Sequence, residues 1–148
     1  MIAKLLKNTL RNGAVLTVAT TAAILTASAN ENKGSWGALN SVSHIVDGDE
    51  KTYGDEFSPR DSTIGFAINS SAMFAWGMLY DLAFGQIPFP KSLASASIFT
   101  AGAFLVDYYI VPKQYTPGIE KKISKNAIFC MYAVIVVTLA LSPRWNKR

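Results

Sequence analysis

Four long apolar segments dominate this sequence and leave few options for its fold. They cover about residues 13–29, 64–84, 92–111 and 126–141. A helix that crosses a bilayer needs roughly 20 mainly apolar residues, with a range of about 17–25. The second and third segments meet this length, the other two only just do, and a lipid-exposed backbone favours helices. The sequence therefore predicts an all-α membrane protein, a four-transmembrane-helix bundle.

The composition agrees with a single integral membrane domain over residues 1–148. Half of the residues are hydrophobic and only 16% are charged, whereas a soluble domain has about 25% charged residues. One cysteine excludes an intrachain disulfide and a cysteine-rich zinc site. The net charge is +4, but the basic residues stand at segment ends, as beside membrane helices. We expect the lipid bilayer as a partner, and no nucleic acid.

The orientation in the membrane rests on the first segment. With a cytoplasmic N-terminus, seven Lys and Arg residues lie inside and seven outside. Because the two counts are equal, the positive-inside rule favours neither orientation. The first helix usually dominates, and its basic arm of Lys4, Lys7 and Arg11 favours cytoplasmic termini. The same arm, with the small residues 27–29, also fits a signal peptide cleaved after Ala29. We favour the uncleaved helix, and cleavage stays open as the alternative.

A long polar loop, residues 30–62, is predicted between the first two helices. It carries seven acids and the only histidine of the chain, His44. Within it, the mostly apolar stretch Trp36–Val46 favours a short helix at the membrane surface. A loop of this length in a compact protein is more often functional or disordered than inert.

Several polar residues are candidates for one functional or structural cluster, because the predicted topology puts them on the same side of the membrane. Asp107 lies within the third segment, and an ionised acid near the bilayer centre costs about 2.5–3.5 kcal/mol and normally has a partner. A histidine with a carboxylate can act as an acid–base pair or bind a divalent cation. The spacing matches no metal motif, so the metal question stays open beside a packing role. The candidates are His44, Asp47, Asp49, Glu50 and Asp107.

Two further polar residues are expected to take part in helix packing and not in chemistry. Asn69 shares a helical face with aromatic residues and is expected to point into the bundle. Asp81 lies near a helix end, where it can interact with Lys91. The sequence holds no phosphate-binding loop and no serine-hydrolase motif. We therefore expect no cofactor and no enzymatic activity.

Two motifs resemble the signatures of an uncharacterised family of small bacterial four-helix inner-membrane proteins. The first, residues 39–44 (LNSVSH) with 48–50 (GDE), resembles LNxxSH…GDE. The second, residues 106–120 (VDYYIVPKQYTPGIE), resembles VDYxxxPxxxTPGxE. The resemblance implies a multi-pass protein of the inner membrane and adds the turn of Thr116, Pro117 and Gly118 to the residues of interest. It implies no substrate and no reaction.

These observations favour a non-enzymatic accessory, assembly or envelope protein of the bacterial inner membrane. Its partner would be another membrane protein or a second copy of the chain. The alternative is a small transporter or a proton- or ion-linked protein that uses Asp107 and His44. Four helices enclose little of a pathway, so this alternative requires an oligomer.

Overall fold

Helices carry the whole fold in the computed structural model, which describes residues 1–85 and 87–146. The described residues contain no strand, which confirms the all-α class. After α5 the chain makes one π-helical turn, Val106–Ile110, and two 3₁₀ turns, Lys113–Tyr115 and Ile119–Lys121. In chain order the helices are α1 (Ile2–Glu31), α2 (Gly37–Ser41), α3 (His44–Asp47), α4 (Asp61–Phe84), α5 (Lys91–Leu105) and α6 (Lys125–Asn146).

The four long helices match the four apolar segments, but two of the predicted boundaries are wrong. α1 begins at Ile2 instead of residue 13, because the basic arm consists mainly of helix-favouring Leu, Lys and Ala. The arm also packs, since Asn8 and Asn12 are buried. α6 extends beyond residue 141. The third segment is helical to Ile110, close to the predicted end, and its last five residues form the π-helical turn.

Three helical stretches are long and apolar enough to cross a membrane: Ile2–Glu31, Lys91–Ile110 and Lys125–Pro143. This finding is compatible with a membrane protein. α4 is not one of the three, although its 24 residues correspond to about 36 Å of helix. Polar residues near its middle, Asn69, Ser70 and Ser71, lower the mean hydropathy of its most apolar stretch below that of the three.

α1 lies between α4 and α6, and α5 packs on the other side of α6. α4 and α5 meet less extensively, largely through aromatic rings such as Tyr80 and Phe99, whose centroids are 5.3 Å apart. This looser contact between α4 and α5 closes the bundle. The core between the helices is apolar, with buried Leu16, Met73 and Ile135 among its members.

The connections at one end of the bundle, residues 32–60 and 111–124, fold together into a cap. The short helix predicted within Trp36–Val46 is present as α2 and the start of α3. The rest of the predicted long loop is not confirmed, because fully buried Leu39 packs this connection into the fold. α2 lies directly on α4, where Gly65 has no side chain to hold it away. A Cβ at this position would collide with the carbonyl oxygen of Leu39.

Candidate functional site

His44 joins the two halves of the cap. Its ring is 1% exposed, with Nδ1 2.8 Å from Oδ1 of Asp49 and Nε2 2.7 Å from the carbonyl oxygen of Thr116. A carbonyl oxygen only accepts, so Nε2 carries a hydrogen and donates it. Both ring nitrogens are thus engaged, one within each connection of the cap.

Asp49 continues this network to the surface. The ammonium group of Lys121 donates a hydrogen bond to the same carboxylate. The hydrogen bonds from Lys121 and His44 lower the pKa of Asp49 below its ordinary value. Asp49 is exposed, and the neighbouring Glu50 is exposed as well. Among the described residues, none makes a hydrogen bond or an ion pair with Glu50, so it takes no part in the cluster predicted for it.

The turn of Thr116, Pro117 and Gly118 lies against the other side of the His44 ring. Gly118 has a φ of +85°, the left-handed region that glycine adopts without strain. A Cβ on Gly118 would lie 2.5 Å from Cδ2 of His44. The Ser41 hydroxyl also lies 2.9 Å from the Gly118 carbonyl oxygen, to which it can donate. The two sequence motifs therefore meet in space at this turn.

Asp47 belongs to a second, separate group that fastens the cap to α4. Arg60 donates to both of its carboxylate oxygens, and Lys51 donates to Asp47 and to Asp61 at the start of α4. Such a two-pronged guanidinium–carboxylate pair is stronger than a single neutral hydrogen bond. The Arg60 hydrogen bond is the main reason why the pKa of Asp47 is lowered to about 2.

Asp107 belongs to neither group. It lies in the π-helical turn, and the Tyr132 hydroxyl of α6 donates a hydrogen bond of 2.6 Å to its Oδ2. No other described residue bonds to this carboxylate, and no described Lys or Arg is paired with it. Asp107 lines a cavity of about 100 Å³ between the bundle and the cap. The cavity also reaches Ile45 and Pro117 of the cap, so Asp107 and His44 lie at the same end of the molecule.

The two packing residues connect α4 to α1. Asn69 donates to the hydroxyl oxygens of Thr20 and Thr21 at 3.1 and 3.3 Å. Asp81 is buried at the end opposite the cap and accepts a hydrogen bond of 3.3 Å from Asn8. The expected pairing of Asp81 with Lys91 does not form between these two described residues. Both contacts serve helix packing.

A metal site would need several ligands around one point. Within residues 1–85 and 87–146, no three His, Cys, Asp or Glu side chains converge in this way. Comparison with protein-family models, with curated proteins and with solved structures found no match for the chain. The functional argument therefore rests on the geometry of the cap and of the Asp107 cavity.

Sequence reasoning missed the partners that give these residues their roles. Tyr132 lies in an apolar helix, where a tyrosine is ordinary core, so no signal singled it out. Arg60 stands beside a proline in a polar stretch, where no pattern points to Asp47 as its partner. Lys121 is one of several basic residues near the start of the fourth apolar segment, and nothing in the sequence connects it to Asp49. In each case the partner is distant in sequence, and only the folded chain brings the pair together.

Proposed function

We propose that this chain is a four-helix protein of the bacterial inner membrane that works without catalysis, as an accessory or assembly protein. One observation carries the proposal: the residues that chemistry would need are engaged in holding the cap. His44 is buried and uses both ring nitrogens for structural contacts. A general base must instead lie within hydrogen-bond reach of a substrate proton.

The surface of the bundle supports insertion of all four helices. Large apolar side chains are exposed on each of them, as lipid-facing side chains would be. Residues 62–80 of α4 contain no Asp, Glu, Lys or Arg, which leaves its charges at the two ends. We therefore include α4 as a fourth span, with both termini in the cytoplasm and the cap on the outer face. Examples of the exposed side chains are Val18, Phe66, Leu82, Ile98 and Phe129.

The cap supplies a fixed surface for a partner. Val46 and Phe57 are large apolar residues that the cap leaves exposed, and Glu50 is exposed between them in sequence. Interfaces commonly combine such an apolar centre with a polar rim. The ion pairs of Asp47 and the His44 contacts hold this surface in one conformation, so a partner meets it preformed.

Photo-crosslinking in living cells tests this role. A photoreactive amino acid in place of Val46 should give one discrete crosslinked protein, and the same change at Val18 on the outside of α1 should give none. A product of twice the mass of the chain would identify a second copy as the partner. No product from Val46, or the same products from both positions, would contradict a docking role for the cap.

The Asp107 cavity favours a second candidate, a small proton- or ion-linked transporter. Asp107 is the carboxylate in the wall of the cavity between the bundle and the cap, and transport sites use such residues. His44 adds nothing to this candidate because it belongs to a different hydrogen-bond network. Measurement of proton and ion flux in proteoliposomes tests this candidate. Flux through the wild-type protein that Asp107→Asn abolishes would support transport, and an absence of flux in wild-type vesicles would contradict it.

A further inference from the structure

We propose that the Asp107 cavity is a binding site for a small organic ammonium ion. The site is independent of the docking surface proposed for the cap, and neither role requires the other. The argument rests on the charge of the cavity, its size, the chemistry of its wall and the backbone at Asp107.

The charge argument begins with the Asp107 carboxylate, whose one hydrogen-bond partner among the described residues is the neutral Tyr132 hydroxyl. Lys51 and Arg60 pair with Asp47 and Asp61, and Lys121 pairs with Asp49. Lys113 of the cap forms no ion pair with a described acid, and no described Lys or Arg is paired with Asp107. Acids in membrane helices normally pair with a positive group. A cation from outside the chain would form the missing ion pair with the Asp107 carboxylate, whereas an anion would be repelled.

The size of the cavity limits what this cation can be. A dry protein cavity of about 150 Å³ holds benzene, which has six heavy atoms. By proportion, a cavity of about 100 Å³ holds about four. A peptide, a nucleotide or a lipid headgroup is too large for this space.

The wall favours an organic ion over a metal ion. Most of the residues around the cavity are apolar, Met73 and Met131 among them, and they suit an alkyl tail. Tyr115 and Tyr132 also line it, and aromatic rings attract ammonium groups. A divalent cation such as calcium takes roughly six to eight oxygen ligands, which this wall does not offer.

The backbone at Asp107 is the second, independent observation. Val106–Ile110 forms a π-helical turn, closed by the Val111 amide donating to the Val106 carbonyl oxygen at 3.0 Å. Such turns occur in well under 1% of residues and are frequent at functional sites. This turn carries the one acid of the third apolar segment into the cavity wall.

Calorimetric titration of the full chain in detergent tests the proposal, with propylammonium as the probe and propanol as its neutral match. Both probes have the same three-carbon chain, so they differ only in the polar group, which is a charged ammonium in one and a neutral hydroxyl in the other. Propylammonium should bind at one site, and propanol about thirtyfold more weakly, since a lost buried charge pair has at least this effect. Equal binding of the two probes, or no saturable binding of propylammonium, would overturn the proposal. Saturable binding of sodium but not of propylammonium would overturn it too.

Variants place the binding at the cavity. Asp107→Asn should weaken propylammonium binding about thirtyfold, and Glu50→Gln, which removes one exposed charge, should leave it unchanged. Ala72→Leu fills the cavity from α4 while keeping the carboxylate, and it should also abolish binding. Thermal unfolding of each variant shows whether it is folded. Wild-type affinity in a folded Asp107→Asn or Ala72→Leu variant would place the binding elsewhere.

Discussion

Gly118 is the residue whose lack of a side chain matters most in the cap. Its positive φ and the nearby His44 ring both exclude a Cβ. Gly118→Ala should lower the free energy of unfolding by about 1–3 kcal/mol, the usual cost of a non-glycine residue in this conformation. Thermal unfolding in detergent, followed by circular dichroism, measures the change.

Gly102 of α5 provides the matched control. A Cβ there meets no other atom within 4 Å, and alanine in a helix is more stable than glycine by roughly 0.5–1 kcal/mol. Gly102→Ala should therefore leave stability unchanged or raise it. A Gly118→Ala protein as stable as the Gly102→Ala protein would contradict the packing described for the turn.

His44 provides a second prediction, because it touches Asp49 but not Asp107. In a double-mutant cycle, His44→Gln and Asp49→Asn should be non-additive, since each change removes the same hydrogen bond. His44→Gln and Asp107→Asn should add within about 0.5 kcal/mol, as residues without shared partners do. Chemical denaturation of the single and double variants measures both cycles. Coupling between His44 and Asp107 instead would mean that the two networks are one.

The stability of the cap should fall at acidic pH, because Asp47 becomes protonated there. Its pKa is about 2 in the folded protein, below the ordinary value of 3.8. The unfolded chain therefore binds a proton first, and the stability contributed by the ion pair is present above about pH 4 and is lost as the pH falls toward 2. Denaturation curves from pH 5 to pH 2 measure this loss.

Asp47→Asn is the variant that isolates the effect of Asp47. Because it has no carboxyl group to protonate, its stability should fall less over the same pH interval than that of the wild type. Parallel pH profiles for the two proteins would show that Asp47 does not contribute to the acid response. Asp49 also has a lowered pKa, so part of the dependence should remain in the variant.

The helices could be predicted from the sequence, whereas the cap could not. Hydrophobic segments are a local signal, and they located α1, α4, α5 and α6, although α1 begins well before the predicted residue 13. The cap depends on contacts between distant residues, such as His44 with the carbonyl of Thr116, 72 positions away. The motifs identified both residues as important. The acceptor at Thr116 is a backbone oxygen, however, and because every residue type has one, the sequence does not reveal this contact. The boundaries failed where packing extended a helix, as at Asn8.

The start of α1, the end of α6 and the facing ends of α4 and α5 all lie opposite the cap. This arrangement follows when four antiparallel helices all cross the membrane. If α4 stayed on the outer face instead, the start of α5 would lie on the same side as the cap. Whether Lys91 lies on the same side of the membrane as Glu50 therefore decides the number of spans. The side on which Lys4 lies decides the orientation.

Cysteine labelling can determine on which side of the membrane each of these three positions lies. Cys130 is the only native cysteine and is exposed on α6, so Cys130→Ser provides a background without a thiol. In this background Glu50→Cys should react with a membrane-impermeant maleimide in spheroplasts, whereas Lys4→Cys and Lys91→Cys should react only after lysis. Labelling of Glu50→Cys and Lys91→Cys together would show that α4 does not span. Labelling of Lys4→Cys and Lys91→Cys without Glu50→Cys would keep four spans but invert the protein, because the cap would then face the cytoplasm.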